Sequence, residues 1–184
     1  MTAPNKPNPQ NYTLELCFAA EQITESLQFC FYDEGGNLCT ELTHGPLAST
    51  FNFEQGDTIT VKVMGSAQGE SRESSMPEFD MEINNCTLVS IPPTSVNDLS
   101  MFDPQNAITT IGMWGKPEIE ENQERLTVSI TTQSRKPLEV TANTGQWKIS
   151  GYLSVTETLN GKTTNKLYYF DPEGSSGDGG WGPD

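Results

Sequence analysis

The chain contains one histidine, His44, five residues after Cys39, and this is where a thiol nucleophile and a base come nearest in the sequence. A general base of the Cys-His type needs the imidazole near its nucleophile and an acid that orients it. Nothing resembling a nucleophile elbow surrounds either residue. His44 precedes Gly45-Pro46, so it reads as a solvent-exposed loop histidine. One imidazole is also too few for a histidine-based zinc or iron site within one chain. Carboxylate pairs are commoner: Asp80 with Glu82, Glu118 with Glu120, Asp171 with Glu173. Residues two apart on a strand face the same way, so each pair could share a proton or a metal. A chain with 25 acids produces such pairs by chance, however, and a glycosidase needs its two acids across a cleft. No catalytic residue is assigned, and the chain is expected not to be an enzyme.

Calcium is the more credible ligand. Asp171, Glu173, Asp178 and Asp184 fall within fourteen residues that hold five glycines and no base. Glycine lets backbone carbonyls turn toward a hard cation, and carboxylate oxygens suit calcium. No EF-hand or nonapeptide spacing accompanies them, so the alternative is a solvated acidic tail. Gly35-Gly36 and Gly177–Gly180 lack the strand-to-helix context and the lysine of a phosphate cradle. Aromatic rings could stack on sugars or on a second subunit. Trp114 ends an apolar run, Trp181 lies in the polar tail, and Trp147 shares a face with Ile149, Leu153 and Val155. Trp147 is therefore expected in the core, while Trp114 and Trp181, with Tyr168 and Phe170, are the candidates for ligand or subunit contact.

The elements that must carry these residues are strands. Tyr12, Leu14, Leu16 and Phe18 alternate with polar residues, as do Leu27, Phe29 and Phe31, then Ile59, Val61 and Val63, Phe79, Met81 and Ile83, and Leu126, Val128 and Ile130. Period two is the mark of a half-buried strand. Asp33–Asn37 supplies a turn after which Leu38–Thr43 returns, and Thr50–Phe53 and Thr58–Met64 are expected to pair across Glu54–Asp57. Gly65–Glu78 reads as a polar loop. Thr87–Ile91 is a further strand stopped by Pro92-Pro93, since proline cannot donate to a ladder. Ser95 could cap one helical turn within Ser95–Asn106, and Ala107–Trp114 is apolar enough for a buried strand. Asn160-Gly161 joins Trp147–Thr158 to Lys166–Phe170 and is the strongest hairpin signal present. About ten strands result, with no convincing repeat. The expectation is a single-domain antiparallel β-sandwich, Ig-like or jelly-roll-like, over residues 11–172, with a Pro/Asn-rich leader at 1–10 and an acidic Gly-rich tail at 173–184.

Composition narrows the partners. The net charge of −15 argues against nucleic acid, which needs a basic stripe, and against anionic membrane surfaces. It favours solubility through self-repulsion, which any dense assembly must overcome by salt, acid or cations. No apolar run suffices for a membrane helix and the first residues show no signal-peptide core, so a cytoplasmic location is expected. Cys17, Cys30, Cys39 and Cys86 are then expected to be reduced structural thiols. The sequons at Asn11 and Asn85 carry no meaning without export.

Gly151-Tyr152-Leu153-Ser154-Val155, then Asn160-Gly161, then Leu167-Tyr168-Tyr169-Phe170-Asp171-Pro172 resembles the C-terminal signature of the AidA/PixA inclusion-body protein family. The match covers roughly residues 145–172. The resemblance implies a β-sandwich without enzymatic activity that accumulates in the bacterial cytoplasm, sometimes as crystalline inclusions, and it supplies no catalytic residues. A homo-oligomer that forms through sheet edges or the tail is therefore the leading expectation. The alternatives are a lectin-like or calcium-assisted ligand-binding module, and an acidic protein that neutralises a basic partner.

Overall fold

In the computed structural model, which describes residues 8–40, 51–69, 75–92, 97–142, 145–171 and 173–176, the alternating segments form two stacked sheets. The strands are β1 (Asn11–Ala19), β2 (Gln28–Tyr32), β3 (Phe51–Phe53), β4 (Thr58–Gln68), β5 (Phe79–Ile91), β6 (Ile108–Ile111), β7 (Glu118–Asn122), β8 (Thr127–Gln133), β9 (Leu138–Glu139), β10 (Gly145–Leu159), β11 (Lys162–Phe170) and β12 (Glu173–Ser176). The first sheet runs β2-β1-β4-β8-β7, with β9 on the same flank of β4 as β8. The second runs β3-β12-β10-β5-β6, with β11 also on β10. No helix occurs among the described residues.

The apolar face of each strand turns inward, as the alternation requires. Leu14, Leu16 and Phe18 of β1 and Ile59, Val61 and Val63 of β4 meet Leu88 of β5, Trp147, Leu153 and Val155 of β10, and Tyr168 and Phe170 of β11 in one core. Aromatic pairs bridge the layers. Phe18 stacks on Tyr168 at 4.9 Å, Phe29 lies 6.1 Å from Phe170, and Phe31 lies 4.5 Å from Phe51. Trp147 is fully buried, and its indole N–H donates to the Asp98 carbonyl at 3.3 Å.

Several expected pairings differ. The sheets are mixed, because β1 lies parallel to β4 and β3 parallel to β12. Phe51–Phe53 and Thr58–Gln68 do not form a hairpin; they belong to opposite sheets. The reason is Asp57, whose buried carboxylate accepts the N–H groups of Gln10 and Glu54, both at 2.7 Å, while Thr58 N–H donates to the Gln10 carbonyl. That clamp turns the chain onto β1. β4 also continues four residues past Met64, through Gly65, into the expected loop. A Cβ at Gly65 would lie 2.7 Å from the Phe18 ring and 2.8 Å from the Met81 sulfur, so the glycine marks close packing across the layers. β5 is one strand with a bulge opposite Ser154/Val155, where Asn84 is the extra residue.

The tail boundary moves as well. Glu173–Ser176, expected to begin the tail, forms β12. β11 and β12 pair with β10 at one shared register, Gly151 with Phe170 and Lys148 with Glu173. The two strands therefore lie end to end as one long arm along β10. Residues 97–106 form turns, not a helical turn.

Candidate interaction surface

The outward face of the second sheet follows from the same parity that fills the core. On β10 the odd residues Trp147, Ile149, Leu153 and Val155 point inward, so Ser150, Tyr152, Ser154 and Thr156 point out. The registers then place these side chains in rows. Tyr169, Tyr152, Thr87 and Thr110 form one row; Leu167, Ser154 and Asn85 form the next. Ser150, Val89 and Ile108 lie on the other side of the tyrosines. Leu167 is 58% exposed, Tyr169 47% and Tyr152 43%.

Further along, a short polar ladder crosses the strands. Asn84 Nδ2 donates to Thr156 Oγ1 at 3.0 Å, and that hydroxyl donates to Asn165 Oδ1 at 2.8 Å. Thr158 and Thr163 share a hydrogen bond at 3.0 Å. The rows of Ser150, Tyr152 and Ser154 carry no charge across β10, β5 and β6, whereas Glu82 lies opposite Thr156 and Asp80 opposite Thr158 in the polar ladder, and Lys148 and Asp171 stand at the other end. In a chain of net charge −15, two tyrosines and a leucine thus share an uncharged patch of this sheet face.

Behind this face lies a buried polar cluster that the acid-pair reading missed. Glu157 is 2% exposed. Its Oε1 accepts the Tyr168 hydroxyl at 2.6 Å and its Oε2 pairs with Lys166 Nζ at 3.0 Å. Lys166 Nζ also donates to the Ala20 carbonyl at 2.7 Å, tying the hairpin to the end of β1. Burial, then the Glu157 hydrogen bond and charge, pushes the Tyr168 phenol well above its ordinary value. The signal was present in the sequence, because Glu157 has the inward parity of Leu153 and Val155.

The sequence candidates fall in varied places. Tyr168 and Phe170, expected on a contact surface, instead point into the core, and the exposed positions of their strand are Leu167 and Tyr169. Trp114 is half-buried and packs against the core, and its backbone forms an antiparallel bridge with Ser134, just past the end of β8. Asp171 is exposed beyond β11 and Glu173 lies in β12. Asp178, Asp184, Trp181 and His44 lie outside the described residues. Asp80, Glu82, Glu118 and Glu120 are all exposed, so these pairs meet in solvent. No disulfide joins the four cysteines. Burial pushes the Cys86 thiol up to about 12, and burial reinforced by Glu15 does the same for Cys17, which leaves both as poor nucleophiles at neutral pH. A groove of about 550 Å³ lies between Pro9, Gln55, Gly56 and Thr141. Its backbone groups serve the Asp57 clamp, with Gly56 N–H on the Val140 carbonyl and Val140 N–H on the Asp57 carbonyl, and it gathers no reactive set.

No family model matches the chain, and no curated protein matches it. Among solved structures, the crystal structure of an inclusion body protein, PixA, from Burkholderia cenocepacia J2315 is similar over 95% of this chain and 99% of that one, with 9% identity and a TM-score of 0.34. At that identity no residue role passes from one chain to the other. No helix among the described residues is long and apolar enough to cross a membrane.

Proposed function

We propose that this chain is a non-enzymatic, self-associating β-sandwich of the inclusion-body type, whose copies meet through the β10–β11 side of the second sheet. The observation that carries this reading is the uncharged outer face around Tyr152, Leu167 and Tyr169. Copies that each carry −15 repel one another, and a contact patch must be one where that repulsion is weakest. Exposed tyrosine also supplies contact area at low entropic cost. The C-terminal resemblance to the AidA/PixA family is consistent with this reading.

The test is Leu167→Glu together with Tyr152→Glu. Both side chains are exposed, so folding stability should change by only about 0.5 kcal/mol, while association measured by sedimentation weakens at least tenfold. Unchanged association in both variants rejects the face as the contact.

A second reading has its own support. Tyr152 and Tyr169 sit side by side with Thr87, Asn85 and the Asn84–Thr156–Asn165 ladder beside them, an arrangement of rings and neutral hydrogen-bonding groups suited to a sugar. A glycan array, with and without calcium, tests it; silence in both arms rejects it.

A further inference from the structure

The flank of the long β11–β12 arm that faces away from β10 is covered unevenly. β3 lies along β12. At Tyr169 the chain covers itself, because Tyr169 N–H donates to the Glu25 carbonyl at 2.8 Å and Leu27 N–H to the Tyr169 carbonyl at 2.9 Å. Backbone groups of alternate residues point the same way along a strand, so those of Leu167, Asn165 and Thr163 point outward too. Among the described residues none of the three has a backbone partner on that side, and all three residues are exposed.

Other flanks are less suited to receive a strand. The outer edge of β7 carries Glu118, Glu120 and Glu121, charges that keep a second edge away. β6 is four residues long, with outward backbone groups at Ile108 and Thr110 alone. β2 has Leu38 and Cys39 folded back on it, with Cys39 N–H on the Phe31 carbonyl at 2.8 Å. β11 carries Lys162 and Lys166 and no acid, so it is a stretch of this acidic chain that a second copy approaches at small electrostatic cost. An inward-pointing lysine on an edge strand ordinarily refuses a neighbour. Here Lys166 is already held by Glu157 and by the Ala20 carbonyl, so covering it strands no charge.

We infer that two copies of this chain join by antiparallel pairing of their β11 strands about a two-fold axis at Asn165, with Thr163 of each opposite Leu167 of the other. Three N–H groups from each copy then find carbonyls, giving six bonds and one sheet continuous through both copies. The occupant is a second copy because a strand that is its own complement satisfies both edges at once. The pairing also keeps like charges apart, since Lys166 of each copy faces Thr164 of the other. This inference rests on the self-association reading above.

The test uses the full chain and two variants. Asn165→Pro removes the outward N–H, which proline tolerates on an edge. Asn165→Ala keeps that N–H and removes only the side chain. Association of the alanine variant should stay within about threefold of the parent and that of the proline variant should fall at least tenfold. Hydrogen exchange on the unmodified chain is the independent readout. The amides of Thr163, Asn165 and Leu167 should slow at least tenfold as concentration rises, while those of Thr164 and Lys166, already bonded to β10, should not change. If the chain associates but these three amides exchange at one rate throughout, or both variants associate equally, the edge pairing is overturned and self-association stands. A chain that is monomeric at all concentrations overturns both. Protection of the three amides in a one-to-one complex with a different chain overturns the second copy as occupant.

Discussion

Gly151 and Phe170 show how a motif legible as sequence becomes a packing requirement. They are directly opposite in the β10–β11 ladder, and a Cβ on Gly151 would lie 2.1 Å from the Phe170 ring. The ring occupies the space that a side chain on residue 151 would take, the device by which an aromatic covers a strand glycine. Gly151→Ala should therefore cost about 2–3 kcal/mol in urea denaturation, and Gly151→Ala with Phe170→Leu should recover part of it. At the neighbouring position, Tyr168→Phe removes the hydroxyl from a buried Glu157 oxygen, and should cost about 1–3 kcal/mol. The same residue sets an alkaline limit. Its phenol is raised above the ordinary 10.0, and the Cys17 and Cys86 thiols are raised from 9.0 to about 12. Unfolding lets all three ionise at their ordinary values, so the stability they contribute is full below about pH 9 and is lost as pH rises. Denaturation midpoints should fall steadily between pH 9 and 11, and less steeply in Tyr168→Phe. A midpoint indifferent to pH over that range would contradict the burial of these groups.

The elements explain which parts of the fold could be read in advance. Strand interiors were legible wherever one face is buried, because Leu14–Phe18, Ile59–Val63 and Trp147–Val155 each alternate without interruption. Boundaries failed at glycines with a packing role: Gly65 looked like the start of a loop and is the continuation of β4. β7 was missed because all its residues are exposed, which removes the alternation on which the reading depends. Sheet membership failed at β3, since only the Asp57 clamp, a contact 47 residues distant in sequence, shows that the chain changes layer there. The outer face was latent in the alternation. Assigning Tyr168 and Phe170 inward assigns Leu167 and Tyr169 outward, yet the aromatic run drew attention to the wrong parity. β12 yields a prediction at this scale. Ending the chain after Pro172 removes the partner of both β10 and β3, so the shortened protein should lose about 2 kcal/mol or more and show faster amide exchange at Gly145 and Trp147, while that of Lys148, which faces Ile91 of β5, should not change. An unchanged thermal midpoint would mean that β12 adds nothing to the sheet.

At the scale of the whole molecule the governing quantity is charge. With 25 acids against 10 bases and an isoelectric point near 4.3, two copies at neutral pH approach against a repulsive field whose range is the Debye length, about 30 Å at 0.01 M salt and about 3 Å at 1 M. The field acts against any contact between copies, while hydrogen bonds at the β11 edge and apolar area around Leu167 and Tyr152 are short-ranged and barely screened. Self-association should therefore tighten with salt, by roughly tenfold or more between 20 mM and 500 mM sodium chloride, and should tighten again as pH falls toward the isoelectric point. An acidic protein that captures a basic partner behaves in the opposite sense, because salt screens an attraction there and the complex loosens. A neutral glycan bound on Tyr152 and Tyr169 is indifferent to both variables. A salt series followed by light scattering thus separates the three functions by sign alone, and association that weakens as salt is added would remove self-assembly through an uncharged face from consideration.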